Sequence, residues 1–325
     1  MFGLMMPSVK NPFSIIVLPA LGDCFDIDLN LQNWLARSNL TYNKPSQNII
    51  NRILYYLDVP EEIYSFGALR YYGETKKKPM NWIASADPVF IQAHLDRMLV
   101  KPISQNLIDK NNMVFVYNEI NKILAKEYSV DLMTNGITGY IQSKHSIPTS
   151  SYSPTEILNL SINQVFPSGG QSKIYGQLIN EIQMLIYDSK SIDSNLFNSL
   201  WLWGGGYLDS FVTKKLPVLY SNNHILKGYW YASESETKPF HSDLENLLNL
   251  DRDCFIAVTA DDNDPHISSE KHLRSFLSSI HQYQNKYKPE RLILIFRDGW
   301  TADISAYHKY RIWRKPDFVK KIGHY

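Results

Sequence analysis

Cysteine is nearly absent from this chain: Cys24 and Cys254 are its only two thiols in 325 residues. Two cysteines build no disulfide framework and fit no zinc-ligand spacing, and so few suit a reduced, cytoplasmic setting. An excess of one charge is missing as well. The 33 basic and 32 acidic residues leave a net charge of +1, too little to attract nucleic acid or a strongly acidic partner at long range. The longest apolar run, Phe13–Leu21, falls well short of the roughly 20 residues that a membrane-spanning helix needs. Met1–Lys10 lacks the basic start and apolar stretch of a secretory leader. No His-Glu-x-x-His, Walker P-loop or strand-linked Gly-x-Gly-x-x-Gly occurs. The expectation is a soluble protein with neither a membrane nor a nucleic-acid partner; a protein partner stays open.

Aromatic residues are plentiful, at 13% with 21 tyrosines, which favours a packed globular chain over disorder. The length allows one large domain or two smaller ones. Phe13–Leu18 reads as a strand of the parallel-sheet kind, broken by Pro19 and Gly22. Helical spacing follows at Leu29–Arg37 and Ser46–Leu57, and Pro60-Glu-Glu62 suits a helix start. Trp82–Ala86 and Met98–Lys101 read as strands and Asn112–Lys126 as a helix. Val130–Thr134 and Thr138–Gln142 form a hairpin around Asn135-Gly136. These elements predict a small α+β insertion, 76–145, in one larger domain made of 1–75 and 146–325. Beyond it lie strands at Ser199–Trp203, Pro217–Tyr220, Cys254–Thr259 and Leu292–Phe296. Helices fit at Ile174–Tyr187, Asn222–Tyr231, Phe240–Leu248 and Ser268–Tyr283. The alternation predicts an α/β fold with a doubly wound, mainly parallel sheet that also holds 13–18.

Asn198-Ser-Leu-Trp-Leu-Trp-Gly-Gly-Gly206 is the most unusual stretch. Ser199–Trp203 reads as a buried strand halted by glycine, and three glycines in a row permit positive φ and close backbone approach. In a parallel sheet that place is the carboxyl edge, where ligands bind. Trp203, Gly204, Gly205 and Gly206 are therefore candidates to line a crevice, with Asp23 after the first strand and Asp298 after the last. The backbone amides of the glycines could cradle an anion. A core strand ending in a flexible turn is the plainer alternative.

The surrounding words add a resemblance. Asn180-Glu-Ile-Gln-Met-Leu-Ile186, the Asn198–Gly206 stretch, Ala86-Asp-Pro-Val89 with Leu95-Asp-Arg97, and Tyr310-Arg-Ile-Trp-Arg-Lys-Pro316 cover about 35 residues. Together they resemble the RpfE-type bacterial regulatory proteins, often described as phosphoglycerate mutases. The spacer before Asn198 is shorter than in that family, and its His-Pro-Val-Asn-x-x-Arg is absent. More remotely, the strand words are similar to cofactor-independent phosphoglycerate mutases and the alkaline-phosphatase-like superfamily. That resemblance implies two divalent metals at the carboxyl ends of the central strands, activating a serine or threonine nucleophile.

Against the superfamily pattern the ligand words are eroded. Its first strand ends in Asp-Gly-Leu-x-Asp; here Pro19-Ala-Leu-Gly-Asp23 stands there, with proline in the ligand's place. Asp23 suits a turn cap. Asp262-Asn-Asp-Pro-His266 keeps the Asp-x-x-x-His spacing, so Asp262 and His266 are the candidate metal ligands, although a solvated loop before a helix is the preferred explanation. Asp-His after the last strand becomes Asp298-Gly299, which also suits a hairpin turn. No serine or threonine sits beside a recognisable base.

These losses favour a catalytically degenerate mutase-like protein with a regulatory or binding role, and no cofactor. The alternative is a metal-dependent phosphomonoester hydrolase or mutase holding a single divalent ion through Asp262 and His266. A third reading is an interaction protein bound through its aromatic Trp300–Trp313 segment.

Overall fold

The apolar run Phe13–Leu18 forms β1, and both strands beside it come from the far end of the chain. The computed structural model describes residues 13–21, 28–42, 48–59, 63–93, 98–103, 109–157, 162–188, 197–208, 214–240, 244–248, 254–259 and 270–314. After β1 follow α1 (Leu29–Arg37), β2 (Asn39–Tyr42), α2 (Ile49–Tyr56), α3 (Phe66–Thr75), β3 (Trp82–Ala93) and β4 (Met98–Pro102). Then come α4 (Lys110–Tyr128), β5 (Val130–Thr134), β6 (Gly139–Ser143), α5 (Ile162–Val165), α6 (Gly170–Asp188) and β7 (Ser199–Gly206). The rest are β8 (Val218–Tyr220), α7 (His224–Ala232), β9 (Thr237–Lys238), α8 (Leu244–Leu248), β10 (Phe255–Val258), α9 (Glu270–Tyr287), β11 (Arg291–Phe296) and β12 (Trp300–Ser305). A 3-10 turn, Ala306–Tyr310, closes the described chain.

Two units result. The first comprises Met1–Glu61, Lys214–Asn223 and Glu234–Tyr325; the second, Glu62–Thr213 and His224–Ser233. The first holds a seven-stranded sheet in the order β2-β12-β11-β1-β10-β8-β9. Its strands run parallel except at the β11–β12 and β12–β2 pairings. β1 is central, with Ile15 opposite both Ile256 and Ile293. Ile16, Leu18, Leu294 and Phe296 join one apolar cluster with Leu31 and Leu35 of α1, Leu244 of α8 and Leu277 of α9. Alternate residues Ile15, Val17, Ile293 and Ile295 point to the other face and are equally buried. Cover on both faces is why these strands are continuously apolar. The α/β class and the largely parallel sheet follow the sequence expectation.

One member of the expected sheet lies elsewhere. Ser199–Trp203 does not join β1; β7 pairs antiparallel with β3 in the five-stranded sheet of the second unit, whose other strands run in the order β4-β3-β6-β5. The second unit is accordingly larger than the expected 76–145 insertion, taking in α3, α6, β7 and α7. Polar contacts with β3 fix this pairing. The Asn198 side chain accepts from Ile91 N at 2.7 Å and donates to Ile91 O at 2.9 Å, locking the register.

Within this unit, glycine sets the helix packing. A Cβ on Gly73 of α3 would lie 1.9 Å from the His224 carbonyl of α7, and one on Gly228 would lie 1.9 Å from the Leu69 carbonyl. A Cβ on Gly67, on the same helix, would lie 2.6 Å from Ser85 N of β3. α3 thus continues past Gly73 to Thr75.

Two predictions follow from the packing and the caps. Gly73→Ala or Gly228→Ala should lower the urea-unfolding free energy by about 1–3 kcal/mol or more. Gly170→Ala, where a Cβ meets nothing within 4 Å, should be neutral or stabilising; equal losses at all three would refute the contact argument. In the first unit, His308 is buried and its Nδ1 accepts from Ser305 N at 3.1 Å. Burial first, and then Arg311, lower its pKa; burial also lowers that of His281. A folded-state pKa below the unfolded value of about 6.5 leaves stability intact above it and erodes it as pH falls through the folded value. His308→Gln keeps an acceptor without the titration, so it should flatten the loss of stability between neutral and mildly acid pH. An unchanged slope would count against His308.

Candidate functional site

The expected crevice drew Trp203–Gly206 and Asp298 to the carboxyl end of one sheet. They belong to two sheets instead. Trp203, Gly204, Gly205 and Gly206 lie in β7 of the second unit, and Asp298 lies in the β11–β12 hairpin of the first. Asp23, Asp262 and His266 fall outside the described residues.

The three glycines do not form a flexible loop. β7 runs through Gly206, and Gly204 has φ +63°. A Cβ on Gly204 would sit 2.9 Å from Phe66 Cβ, one on Gly205 2.2 Å from the Trp82 ring, and one on Gly206 2.5 Å from Ser65 Cβ. Gly204 N donates to Ser150 O at 2.9 Å, and Gly205 N to Thr149 Oγ1 at 3.1 Å. Amides engaged in this way do not cradle an anion. The run exists because neighbouring backbone and rings come too close for any side chain.

Trp203 does reach a polar centre, one that the sequence did not single out. Its indole Nε1 donates to Asp87 Oδ2 at 2.7 Å, and Arg70 of α3 meets the same oxygen at 2.7 Å. Both charged side chains are mostly buried, at 13% and 14% exposure. The guanidinium lies over the rings of Tyr140 and Trp203, 5.6 Å from each centroid. Burial alone would depress the Arg70 pKa, but Asp87 reverses the effect and holds it above its ordinary value. One helical turn on, Glu74 accepts from Thr138 Oγ1 at 2.9 Å and from the Tyr140 and Asn135 side chains. Burial pushes the Tyr140 phenol up, and Glu74 adds to the shift. The arrangement is a desolvated, mutually satisfied network in which Asp87 already serves two donors. Its chemistry is positional: it fastens α3 and β6 to the β3–β7 pair. Asp87 stands in the Ala86–Val89 word, which was the one sequence signal available; Arg70 carries none.

In the first unit, the carboxyl ends of the central strands present Pro19, Thr259 and Arg297–Gly299. Pro19 is buried and its side chain has no donor atom for a metal. Thr259 Oγ1 is committed to the Val17 carbonyl at 2.8 Å. Gly299 turns the hairpin with φ +100°, its N donating to Phe296 O at 3.2 Å. The cation here is organic. Arg52 of α2, 3% exposed, donates from Nη1 to Phe296 O at 2.7 Å. Its Nη2 donates to Trp300 O and Thr301 Oγ1, each at 2.7 Å. Burial lowers its pKa, while the charges of Tyr56 and Asp298 raise it. Arg52, absent from the sequence candidates, thus pins the turn that carries Asp298. These described donors do not fit a two-metal centre.

The ion pair in the second unit is testable. Asp87→Ala leaves the Arg70 charge in a mostly buried site and should cost about 3–5 kcal/mol in urea unfolding. Combining Arg70→Met with Asp87→Leu should recover much of that loss; strictly additive losses would show that the two are not coupled.

No protein-family model and no curated protein matches the chain. Among solved structures, a cofactor-independent phosphoglycerate mutase from Thermoplasma acidophilum DSM 1728 aligns over 91% of this chain and 90% of its own, with 13% identity and a TM-score of 0.43. The PH0037 protein from Pyrococcus horikoshii aligns over 91% of this chain and 88% of its own, with 12% identity and a TM-score of 0.51. At 12% identity the likeness to PH0037 is one of fold, and it extends over nearly the whole chain.

Proposed function

We propose that this chain is a binding or regulatory protein of the RpfE type, built on a phosphoglycerate-mutase-like, alkaline-phosphatase-like frame and catalytically degenerate. The observation that carries this reading is Arg52. The superfamily resemblance puts a metal ligand beside the end of the last parallel strand. At that point the chain supplies a buried guanidinium bonded to the Phe296 and Trp300 carbonyls. A divalent ion placed beside such a charge would meet Coulomb repulsion. Pro19, in the place of the first ligand, adds no compensating carboxylate. A two-metal centre needs several anionic ligands to hold its charges together.

The competing reading is a phosphomonoester hydrolase or mutase with one divalent ion on Asp262 and His266. Metal analysis of the purified chain, with turnover of p-nitrophenyl phosphate and of phosphoglycerate in Mn²⁺, Mg²⁺ or Zn²⁺, separates the two. The expected result is no stoichiometric metal and no turnover above buffer. Turnover that vanishes in both Asp262→Ala and His266→Ala would overturn the proposal.

A further inference from the structure

The whole-chain charge of +1 hides a local excess. No Asp or Glu lies between Asp303 and Asp317, and within that interval Lys309, Arg311 and Arg314 alternate with large apolar residues. Tyr307 is 80% exposed, Tyr310 65%, Ile312 77% and Trp313 71%. Few folded surfaces present four such side chains within seven residues without a use for them. Among the described residues, none of the three cations pairs with a carboxylate; the ion pairs found lie elsewhere.

The segment is also held in one shape. Ser305 and His308 form a reciprocal cap on the 3-10 turn, and His308 is its buried anchor. Arg311 N donates to His308 O at 3.1 Å, and Arg314 N to Arg311 O at 3.2 Å. The Arg311 guanidinium reaches Asn39 Oδ1 at 2.6 Å, and that of Arg314 reaches the Ser38 carbonyl. The backbone is therefore ordered before any partner arrives, so binding forfeits little chain entropy. Trp, Tyr and Arg are the residue types that dominate protein–protein binding energy.

We infer that the turn at 307–314 is a docking surface for a protein segment that carries two or more carboxylates beside an aliphatic or aromatic residue. Charge complementarity selects the acids, and the exposed rings select the apolar residue. A polyanion such as RNA is a poorer fit, because a chain of net charge +1 gives it no wider field. The inference rests on the binding reading above and deepens it by naming a partner class. Its test is separate, since the metal and turnover assays do not involve this turn.

The test is a selection of phage-displayed dodecapeptides on the immobilised full chain, with the Tyr310→Ser/Trp313→Ser variant as counter-selector. Both positions are exposed, and an unchanged melting temperature verifies that the variant folds. Enriched peptides should carry at least two Asp or Glu next to Leu, Ile, Phe or Trp. By fluorescence polarisation their affinity should fall at least about tenfold in the double variant. It should fall severalfold in Lys309→Gln, and decline as salt rises from roughly 0.05 to 0.5 M. No enrichment, peptides without acids, or equal binding to the variant would overturn the inference. So would phosphatidylserine vesicles or oligouridylate binding as tightly through the same residues.

Discussion

A long strand needs hydrogen-bond partners on both edges, and in the second unit that requirement organises everything else. β3 gives one edge to β6 and β4 in succession and the other to β7. β7 arrives from more than a hundred residues downstream and must be steered into register. Asn198 does so at one end by pairing with both polar groups of Ile91. Trp203 does so near the other by bonding Asp87. Once β7 is seated, its glycines admit Phe66, Trp82 and Ser65 at distances that no side chain would permit. The position of α3, and through Gly73 that of α7, then follows.

Much of this architecture was legible in the sequence. The apolar runs of β1, β10 and β11 identify strands covered on both faces, and Asn135-Gly136 marks the β5–β6 hairpin. The partner of β7 was not legible. A short apolar run with covered faces looks the same in a parallel sheet and in an antiparallel one, because periodicity reports burial and not direction. Gly67 and Gly73 are contact points inside α3, which nothing in the local sequence marks. Asp298 at a hairpin turn was readable, but Arg52 was not: its carbonyl acceptor at Phe296 is 244 residues away, and nothing local marks a helical arginine as buried.

The chain solves the burial of a guanidinium in two ways. Arg70 meets a carboxylate and two aromatic faces, so its charge is neutralised where it lies. Arg52 meets carbonyl and hydroxyl oxygens through Nη1 and Nη2, while its buried Nε has no hydrogen-bond partner among the described residues and its charge persists. Both exploit the rigid fork of arginine, which lysine cannot reproduce. The first strengthens a packing contact. The second sets the electrostatic character of the hairpin beside the ends of the parallel strands.

The position of β1 in its sheet has a consequence for synthesis. β1 is made before either of its neighbours: β11 follows about 270 residues later, and β10 is nearly as late. At roughly 5–20 residues per second, β1 waits on the order of 10 to 50 seconds with both edges unpaired. The second unit, mostly contiguous from Glu62 to Thr213, is complete but for α7 well before β10 is made. An apolar strand left open for that long is a target for holding chaperones and a nucleus for aggregation. Yield in the cell should therefore respond to elongation rate and chaperone supply as much as to the equilibrium stability of the finished fold.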